Sequence, residues 1–321
     1  MDHIFITRKI PKVGLEALKA AGHRVSVWAE DRVIPHNELL KRVKGCDAIV
    51  SMLTDRIGND VLEAAGPHLK LVANFAAGFD NLDLAALRRR GILATNLPGA
   101  SSEAVAEHTF ALMMAVAKRI VEDDRLVRKH AYRGWAPMYM LGTELGGKTL
   151  GIIGTGRIGS ATAKRAVLGL GMKLVYHDPV RNEELDRSYG AVNLSLDELL
   201  KTADVVSLHV PLTQETRHLI NAKRLMLMKK TALLINTSRG PVIDEAALAK
   251  SLKAKRIAGA GLDVFEHEPK VHPILLKLQN VVLTPHTGSA TVEARDAMAL
   301  MCAKSVNEAL AGRVPETAIK H

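Results

Sequence analysis

The sequence predicts an α/β protein with two doubly wound units, each built around a parallel sheet. Short apolar runs rich in β-branched residues alternate with helical patterns, and this alternation occurs twice along the chain. Strand–helix alternation is typical of parallel sheets that are covered by helices on both faces. The chain also has 321 residues, which is more than one ordinary hydrophobic core accommodates. We therefore predict two domains.

The first set of elements occupies residues 1–100. Strands are predicted in the runs IFIT, RVSVW, AIVSML, LKLVANF and ILATN. The helices between them are predicted at Pro11–Ala21, Pro35–Val43, Asp60–Ala65 and Leu82–Arg90. The turn after the first strand, TRKIPKVG, lacks phosphate-binding glycines. We therefore expect this unit to carry no nucleotide site.

Two long helical patterns flank the second set of elements. Ser102–Lys129 is predicted as one helix, because its middle is apolar nearly all round, as in buried helices. The irregular segment His130–Gly147 follows it. Thr291–Ala311 is the last predicted helix, and we expect it to return to the N-terminal unit. The predicted domains are residues 1–100 with 290–321, and residues 101–289 inserted between them.

The second set runs from Lys148 to His286. Its six predicted strands are TLGII, KLVYH, VVSLHV, ALLINT, AGAGLDV and VVLTPH. Its helices include Ile158–Leu168, Leu196–Thr202, Ala222–Met228 and Asp244–Ala254. Six parallel strands joined by right-handed crossovers form a dinucleotide-binding Rossmann domain. The N-terminal unit is then predicted to be a flavodoxin-like substrate domain, into which the Rossmann domain is inserted.

A glycine-rich turn marks the start of the second set. Gly154, Gly156 and Gly159 form a GxGxxG motif between a strand and a helix. The three glycines permit the tight turn, the approach of a pyrophosphate and close helix–strand packing, in that order. The next strand ends at Asp178, where a carboxylate accepts hydrogen bonds from the adenosine ribose. A structural turn is the alternative, but the element order and the terminal acid favour a nucleotide site.

Composition and charge exclude several classes of function. The net charge is +10, but the basic residues are scattered and only 3% of the residues are aromatic, which leaves few base-stacking side chains. No apolar stretch approaches the roughly 18–20 residues of a membrane span, and the N-terminus lacks a signal-peptide core. Cys46 and Cys302 form neither a disulfide framework nor a metal quartet. We expect a cytoplasmic protein with no metal, nucleic-acid or membrane partner.

Three polar side chains follow three strands of the second set. Arg239 follows ALLINT, Glu268 follows AGAGLDV, and His286 follows VVLTP. Ligands of doubly wound sheets bind beyond the carboxyl ends of the strands. There Arg239 can clamp a carboxylate, His286 can protonate a carbonyl oxygen, and Glu268 can orient the imidazole. This set suits reduction of a 2-oxo acid. Taken singly, a surface arginine, a turn glutamate and a helix-capping histidine are the alternatives.

Other candidate residues are weaker. The string His267–His272 resembles a zinc-protease motif, but its histidines are five residues apart and a proline interrupts the helix that they need. No GxSxG motif of acyl-transfer enzymes occurs. His108 is predicted to pack or to cap. Asp263 is predicted either to bind a nicotinamide carboxamide or to cap the local backbone.

The chain resembles the D-2-hydroxyacid dehydrogenases over essentially its whole length. GIIGTGRIG, LINTSRGPVIDEAAL, GAGLDVFEHEP and NVVLTPHTGSAT carry this resemblance and are highly specific as a set. Within the family, WAPMYMLGTELGGKTLGIIGTGRIG is most similar to glyoxylate/hydroxypyruvate reductases. The resemblance implies NAD(P)H-dependent reduction of glyoxylate, hydroxypyruvate or a similar 2-oxo acid to the D-2-hydroxy acid. D-lactate or 3-phosphoglycerate dehydrogenases, and an NADH-sensing scaffold of the same fold, are the alternatives.

The resemblance also implies roles for individual residues. Arg239 holds the substrate carboxylate, His286 is the proton donor and Glu268 is its partner. The positions that match substrate contacts are Leu53, Ala77, Gly78 and Ser289. The positions that match cofactor contacts, beside the three glycines and Asp178, are Thr109, Arg157, Ile158, Pro211, Thr216, Thr237, Asp263 and Gly288.

Trp135 matches a residue that reaches the substrate from a neighbouring subunit in such reductases, which implies a homodimer. The segment around it, Tyr132–Met140, is rich in aromatic residues and methionines. Such an apolar excursion is typical of a subunit interface. The alternative is a loop that packs within one subunit.

One position departs from the reductases that this chain most resembles. Many of them carry Ser or Arg after the second strand of this domain and prefer NADPH, whereas here the strand ends in His177-Asp178-Pro179. A carboxylate there repels a 2′-phosphate and accepts a free ribose diol. Arg181 is a counter-signal, because a guanidinium can bind that phosphate. We predict NAD(H), with NADP(H) open.

Overall fold

The computed structural model describes residues 1–320. Their contacts divide the chain into two units, Met1–Ser101 with the residues from Ala290 onward, and Ser102–Ser289. The first unit contains a five-stranded parallel sheet and the second a seven-stranded parallel sheet. The predicted fold class of two parallel-sheet α/β domains is confirmed.

The N-terminal unit has the strand order β2-β1-β3-β4-β5. Its strands are β1 (His3–Ile6), β2 (Arg24–Val27), β3 (Ala48–Ser51), β4 (Leu71–Asn74) and β5 (Leu93–Thr95). Its helices are α1 (Lys12–Ala20), α2 (His36–Arg42), α3 (Asn59–Ala65) and α4 (Leu84–Arg89). This is the flavodoxin-like order. Every residue of β3 and β4 is buried, which explains why both strands are continuous apolar runs.

Side-chain alternation along β1 feeds two separate cores. Ile4 and Ile6 contribute to one apolar cluster, and Phe5 contributes to the cluster on the opposite face. Successive strand residues point to opposite faces of a sheet, so both faces here need cover from helices. The N-terminal sheet is therefore the middle layer of a three-layer unit.

The second unit has the strand order β8-β7-β6-β9-β10-β11-β12. Its strands are β6 (Thr149–Ile153), β7 (Lys173–His177), β8 (Val192–Asn193), β9 (Val205–Leu208), β10 (Leu233–Asn236), β11 (Gly259–Leu262) and β12 (Val281–Leu283). Its helices are α5 (Ser102–Ala117), α6 (Ile120–Arg128), α7 (Arg157–Leu170), α8 (Glu183–Tyr189), α9 (Leu196–Thr202), α10 (Ala222–Leu225) and α11 (Glu245–Lys253). The order reverses between β6 and β9, which is where doubly wound sheets bind their ligands.

Two element predictions for this unit are wrong. The sheet has a seventh strand, β8, which is only two residues long and exposed, so it carries no apolar pattern. The helix predicted over Ser102–Lys129 is two helices, because Arg119 adopts a left-handed backbone with φ of 58° between α5 and α6. The apolar pattern continues across this break, but α6 has no buried residue. The segment predicted to be irregular, His130–Gly147, contains neither helix nor strand, and the structure describes all of it.

The last helix, α12 (Val292–Leu310), packs in the N-terminal unit. Met298, Cys302 and Val306 are buried in the cluster that also contains Ile4 and Ile6. The helix approaches α1 so closely that a Cβ atom on Gly14 would lie 2.8 Å from the Cβ atom of Ala299. Among residues 1–320, no helix combines the length and apolarity that a membrane crossing requires.

Candidate functional site

The carboxyl ends of β10, β11 and β12 lie side by side in the larger sheet. Adjacent strands are about 4.8 Å apart, so the loops that follow them are neighbours. These loops carry Arg239, Glu268 and His286, respectively. The structure therefore places the three predicted catalytic side chains on consecutive loops at one edge of one sheet.

His286 and Glu268 form a hydrogen-bonded pair. Nδ1 of His286 lies 2.9 Å from Oε2 of Glu268. The other carboxylate oxygen, Oε1, accepts a hydrogen bond from the backbone N–H of Phe265 at 3.0 Å. A carboxylate only accepts hydrogen bonds, so Nδ1 carries the proton in this pair. Nε2 of the imidazole is then left to give or take a proton elsewhere.

Asp263 fixes the loop on which His286 lies. This residue is 1% exposed. It accepts the backbone N–H groups of Thr287 and Gly288, both at 2.8 Å, and the hydroxyl of Thr284 at 2.6 Å. Burial alone would raise the pKa of this carboxyl, but these bonds and His108 hold the pKa below its ordinary value. Asp263 thus performs the backbone-capping role, and its contact with a carboxamide stays a prediction.

His108 packs against the same loop. Its Nε2 atom lies 3.0 Å from Oγ1 of Thr284 and 3.3 Å from Oδ1 of Asp263. These contacts place it among the supports of the loop, as the packing interpretation of the sequence predicted. His286 itself has a left-handed backbone with φ of 56°. A non-glycine residue in that region is held there by its surroundings, and here the surroundings include Asp263, whose carbonyl accepts the N–H of His286 at 2.8 Å.

The loop that carries Arg239 is held by Asn236. The side chain of Asn236 accepts the N–H of Ser238 at 3.0 Å and donates to the carbonyl of Arg239 at 2.9 Å. The next residue, Gly240, touches the loop after β11, since a Cβ atom there would lie 1.9 Å from the carbonyl of Phe265. No other residue fits at Gly240. The arginine loop and the glutamate loop are therefore in direct backbone contact.

The glycine-rich turn has the geometry of a phosphate cradle. Gly154 has a φ of 92°, and a Cβ atom there would lie 2.8 Å from the backbone of His209. A Cβ atom on Gly159 would lie 2.1 Å from the carbonyl oxygen of Gly154. By contrast, a Cβ atom on Gly156 would meet nothing within 4 Å. Two glycines are thus required by packing, and the third leaves open space at the N-terminus of α7, where Arg157 and Ile158 begin the helix.

Asp178 closes this turn from the neighbouring strand. Its Oδ2 atom accepts the backbone N–H of Thr155 at 2.7 Å and the Thr155 hydroxyl at 3.0 Å. Burial alone would raise the pKa of Asp178, but the hydrogen bonds from Thr155 and Val180 hold the pKa below its ordinary value. A cavity of about 660 Å³ lies beside it, lined by His177, Asp178, Arg181 and residues 191–195. The guanidinium of Arg181 is paired, with Nε 2.5 Å from Oδ2 of Asp186.

Four other predicted cofactor positions form two pairs. The hydroxyls of Thr109 and Thr237 are buried and lie 2.7 Å apart. The hydroxyl of Thr216 donates to the carbonyl of Pro211 at 2.6 Å, which closes an exposed loop after β9. The structure brings the members of each pair together. Their contact with a cofactor stays a prediction.

The predicted substrate positions Leu53, Ala77 and Gly78 follow two adjacent strands, β3 and β4. Two asparagines that the sequence analysis missed support them. Asn74 donates to the carbonyl of Gly78 at 2.8 Å, and Asn81 donates to the carbonyl of Met52 at 3.1 Å. The two side chains also bond each other at 3.0 Å. A polar residue at the end of an otherwise apolar strand was the available signal for Asn74.

The remaining two predicted positions lie elsewhere in the second unit. Trp135 is 84% exposed on the irregular segment between α6 and β6. Its neighbour Met138 is 79% exposed. Residues 131–139 are all exposed, so the alternative of a loop that packs within one subunit is wrong. Ser289 directly follows Gly288 at the end of the loop after β12.

Within residues 1–320, no three His, Cys, Asp or Glu side chains group together in a way that could hold a metal ion.

Comparisons with known proteins find relatives of this chain over nearly its whole length. The family model described as D-isomer specific 2-hydroxyacid dehydrogenase, NAD binding domain, matches residues 110–288. The glyoxylate reductase of Pyrococcus horikoshii is 48% identical over 320 residues, which cover 98% of this chain and 95% of the relative. The crystal structure of the TT0316 protein from Thermus thermophilus has a TM-score of 0.93 and 42% identity, covering 99% of this chain and 100% of that chain. An NADPH-dependent glyoxylate/hydroxypyruvate reductase from Sinorhizobium meliloti, solved with NADP and malonate, has a TM-score of 0.86 and 30% identity, covering 99% of this chain and 96% of that chain.

Proposed function

The chain belongs to the D-isomer specific 2-hydroxyacid dehydrogenase family, and from this we propose that it reduces glyoxylate, or the similar acid hydroxypyruvate, to the D-2-hydroxy acid. It is an NAD(P)-dependent oxidoreductase. The observation that carries the proposed reaction is the His286–Glu268 pair at 2.9 Å. This pair lies on the loops next to Arg239, on the sheet that also carries the glycine-rich turn.

The residues of the second unit fit a dinucleotide. Gly156 leaves open space at the N-terminus of α7, where backbone N–H groups suit a pyrophosphate. Asp178 stands at the end of the next strand, where a ribose diol binds. When bound, the coenzyme supplies or accepts a hydride at its nicotinamide ring. All other steps belong to side chains of this chain.

In the proposed reaction, Arg239 binds and orients the 2-oxo acid, and His286 protonates it. Arg239 binds the carboxylate with its planar fork and fixes the orientation of the carbonyl. His286 donates the proton on Nε2 to the carbonyl oxygen as that oxygen gains charge. Glu268 holds Nδ1, so the ring cannot turn away. The guanidinium and the imidazolium together stabilise the negative charge that develops on oxygen.

We further propose that NADH is the preferred coenzyme. Asp178 places a negative charge where a 2′-phosphate would bind, and the charge is secured by hydrogen bonds from Thr155. The guanidinium of Arg181, the group that could bind a 2′-phosphate, forms a salt bridge with Asp186. Both observations favour a free ribose diol. The S. meliloti relative is NADPH-dependent, whereas the family model is described as an NAD binding domain, so the choice of coenzyme belongs to the individual chain.

We also propose that the segment Tyr132–Met140 lies against a second copy of this chain. Exposed Trp135 and Met138 are costly to leave in water, and aromatic residues and methionines are enriched at subunit interfaces. The predicted homodimer is tested by light scattering on the wild-type chain and on Trp135→Ala. A monomeric wild-type protein would contradict it.

The direct test is an absorbance assay at the NADH band with a panel of 2-oxo acids. We expect turnover with glyoxylate or hydroxypyruvate, and weaker turnover with pyruvate, the substrate of a D-lactate dehydrogenase. The alternative of an NADH-sensing scaffold predicts coenzyme binding without turnover of any acid in the panel. That result would overturn the proposed reaction while leaving the family membership intact.

A further inference from the structure

The side chain of Glu245 lies where the arginine loop and the glutamate loop meet. Glu245 is the first residue of α11, five residues after the turn that begins at Gly240. It is 8% exposed, although it is a carboxylate. Its Oε2 atom accepts the backbone N–H of Glu266 at 2.7 Å, and its Oε1 atom accepts the backbone N–H of His272 at 2.7 Å. One buried carboxylate therefore binds the backbone at both ends of the Glu266–His272 segment, which contains Glu268.

A second carboxylate, that of Glu266, completes this arrangement, which we call the clamp. Oε2 of Glu266 accepts the backbone N–H of Glu245 at 3.2 Å, and Oε1 lies 2.6 Å from Nε2 of His218. Arg217 lies at 3.9 Å from the same oxygen. Burial alone would raise the pKa of Glu266, but His218 and the N–H of Glu245 hold the pKa below its ordinary value. Each carboxylate binds the backbone of the other residue, so two acids lie together near the positive end of α11.

The clamp connects directly to the proposed catalytic groups. On one side, the chain that leads to Glu245 carries Arg239, and Gly240 presses on the peptide of Phe265. On the other side, the N–H of Phe265 binds Glu268 at 3.0 Å, and Glu268 holds His286 at 2.9 Å. A displacement of the Glu266–His272 segment therefore moves Glu268 relative to both His286 and Arg239.

We propose that Glu245 is a positioning residue that staples the loop of Arg239 to the loop of Glu268. By doing so it sets the geometry between the guanidinium that binds the substrate carboxylate and the imidazole that moves the proton. This inference rests on the proposed function for its chemical meaning. Glu245 makes no contact with substrate in this role.

The chemistry of the clamp explains why a carboxylate stands there. Its two oxygens accept two backbone N–H groups at once, and both bonds are charge-assisted. Glutamine has the same length but only one acceptor oxygen, and its amide N–H₂ would face one of the two N–H groups. Glu245→Gln thus removes one end of the staple with almost no change in volume.

The test compares Glu245→Gln with Glu184→Gln. Glu184 is an exposed first-turn glutamate of α8 in the same unit, so this control removes an equivalent helix-terminal charge. We expect Glu245→Gln to lower kcat for 2-oxo acid reduction about 10- to 100-fold, the range caused by misplacement of a catalytic group. We also expect its pH profile to move to lower pH, towards that of Glu268→Gln. The control should match the wild-type chain in both measurements.

A readout that needs no turnover separates this inference from the proposed function. The titration midpoint of the His286 ring can be followed by NMR with ¹³C-labelled histidine, using His286→Ala to assign the signal. We expect Glu245→Gln to lower that midpoint towards its value in Glu268→Gln. If the melting temperature falls but the midpoint and the pH profile stay at wild-type values, Glu245 is merely structural and the proposal is overturned. If the wild-type chain reduces no 2-oxo acid, the proposed function fails, and the midpoint still decides the role of Glu245.

A second variant guards against a Glu245→Gln chain that does not fold. Glu266→Gln weakens the same clamp from its other side, while its own backbone N–H remains available to Glu245. We expect the same direction of change in the His286 midpoint and in the pH profile. Wild-type values for both in a folded Glu266→Gln chain would contradict the staple.

Discussion

The two sides of the larger sheet are built differently at their carboxyl ends. After β10–β12, buried side chains hold each loop: Asn236, Glu245 and Asp263 all bind backbone N–H groups. After β7 and β8, the loops are exposed, and Arg181 is paired only on the surface. The first side, which carries the proposed chemistry, is held in place by these hydrogen bonds, and we call it the braced side. We call the second side, which lines the cavity beside Asp178, the open side, because its loops are exposed.

This difference separates what single substitutions should do. On the braced side, one altered side chain disturbs several bonds at once, and activity should fall steeply. On the open side, one altered side chain should change which coenzyme is preferred while the fold persists. A family that contains an NADPH-dependent member fits this division, because coenzyme preference then varies without rebuilding the catalytic edge.

The largest effect should follow from removing the imidazole on the braced side. His286→Ala should lower kcat for 2-oxo acid reduction about 10²–10⁴-fold, the usual contribution of general acid catalysis. Steady-state kinetics measure this loss. His68→Ala is the matched control, since it removes an exposed histidine from the N-terminal unit. Near wild-type turnover in His286→Ala would remove this residue from the mechanism.

A smaller effect should follow from neutralising the partner of that imidazole. Reduction requires a protonated His286, and a carboxylate neighbour favours the protonated form. Glu268→Gln should therefore move the upper limb of the pH profile of reduction to lower pH and lower the activity on that limb. The pH dependence of kcat/KM checks this. A profile that coincides with that of the wild-type chain would exclude the pairing.

A substitution on the open side should change the preference between NADH and NADPH. Asp178→Asn keeps an acceptor for Thr155 but removes the charge that opposes a 2′-phosphate. Two like charges about 4 Å apart repel by about 1 kcal/mol in water, so the NADPH/NADH ratio of kcat/KM should rise at least about fivefold. Kinetics with both coenzymes measure the ratio. A wild-type chain that already prefers NADPH would refute the argument from Asp178.

The last expected effect is on stability, and it should follow from removing the buried charge of Asp263 on the braced side. Its folded-state pKa is lowered, so it stabilises the fold above its unfolded pKa of about 3.9, and this contribution is lost as pH falls through the folded pKa. Asp263→Asn should lower the free energy of unfolding near pH 7 by about 1–3 kcal/mol, because an amide group would face a backbone N–H group. Its melting temperature should also fall less than that of the wild-type chain between pH 5 and pH 3. Equal acid sensitivity of the two chains would count against this role.

Most of the fold could be predicted from the sequence, because parallel strands buried on both faces are continuous apolar runs. The elements that were wrong are those without such a pattern. β8 is two exposed residues, and the break at Arg119 interrupts an apolar pattern that otherwise continues into α6. Backbone conformation at one residue leaves no periodic signal.

The candidate site divides in the same way. Gly154, Gly159, Arg239 and His286 directly follow strands or form a motif, so their placement at one edge follows from the topology of a doubly wound sheet. Their roles in binding and catalysis stay predictions. Asn81 and Glu245 were missed because their partners are backbone groups on other segments of the chain. No spacing along the sequence announces such contacts.

The sequence by itself determined the two parallel sheets, the dinucleotide turn and the edge at which three polar side chains gather. These depend on local apolar patterns and on glycines that packing demands, both of which are written into consecutive residues. Only the tertiary structure decided how the loops at that edge are held and which carboxylate binds which backbone. Those outcomes depend on hydrogen bonds between segments that are distant along the chain, and such bonds exist only once the sheet has brought the segments together.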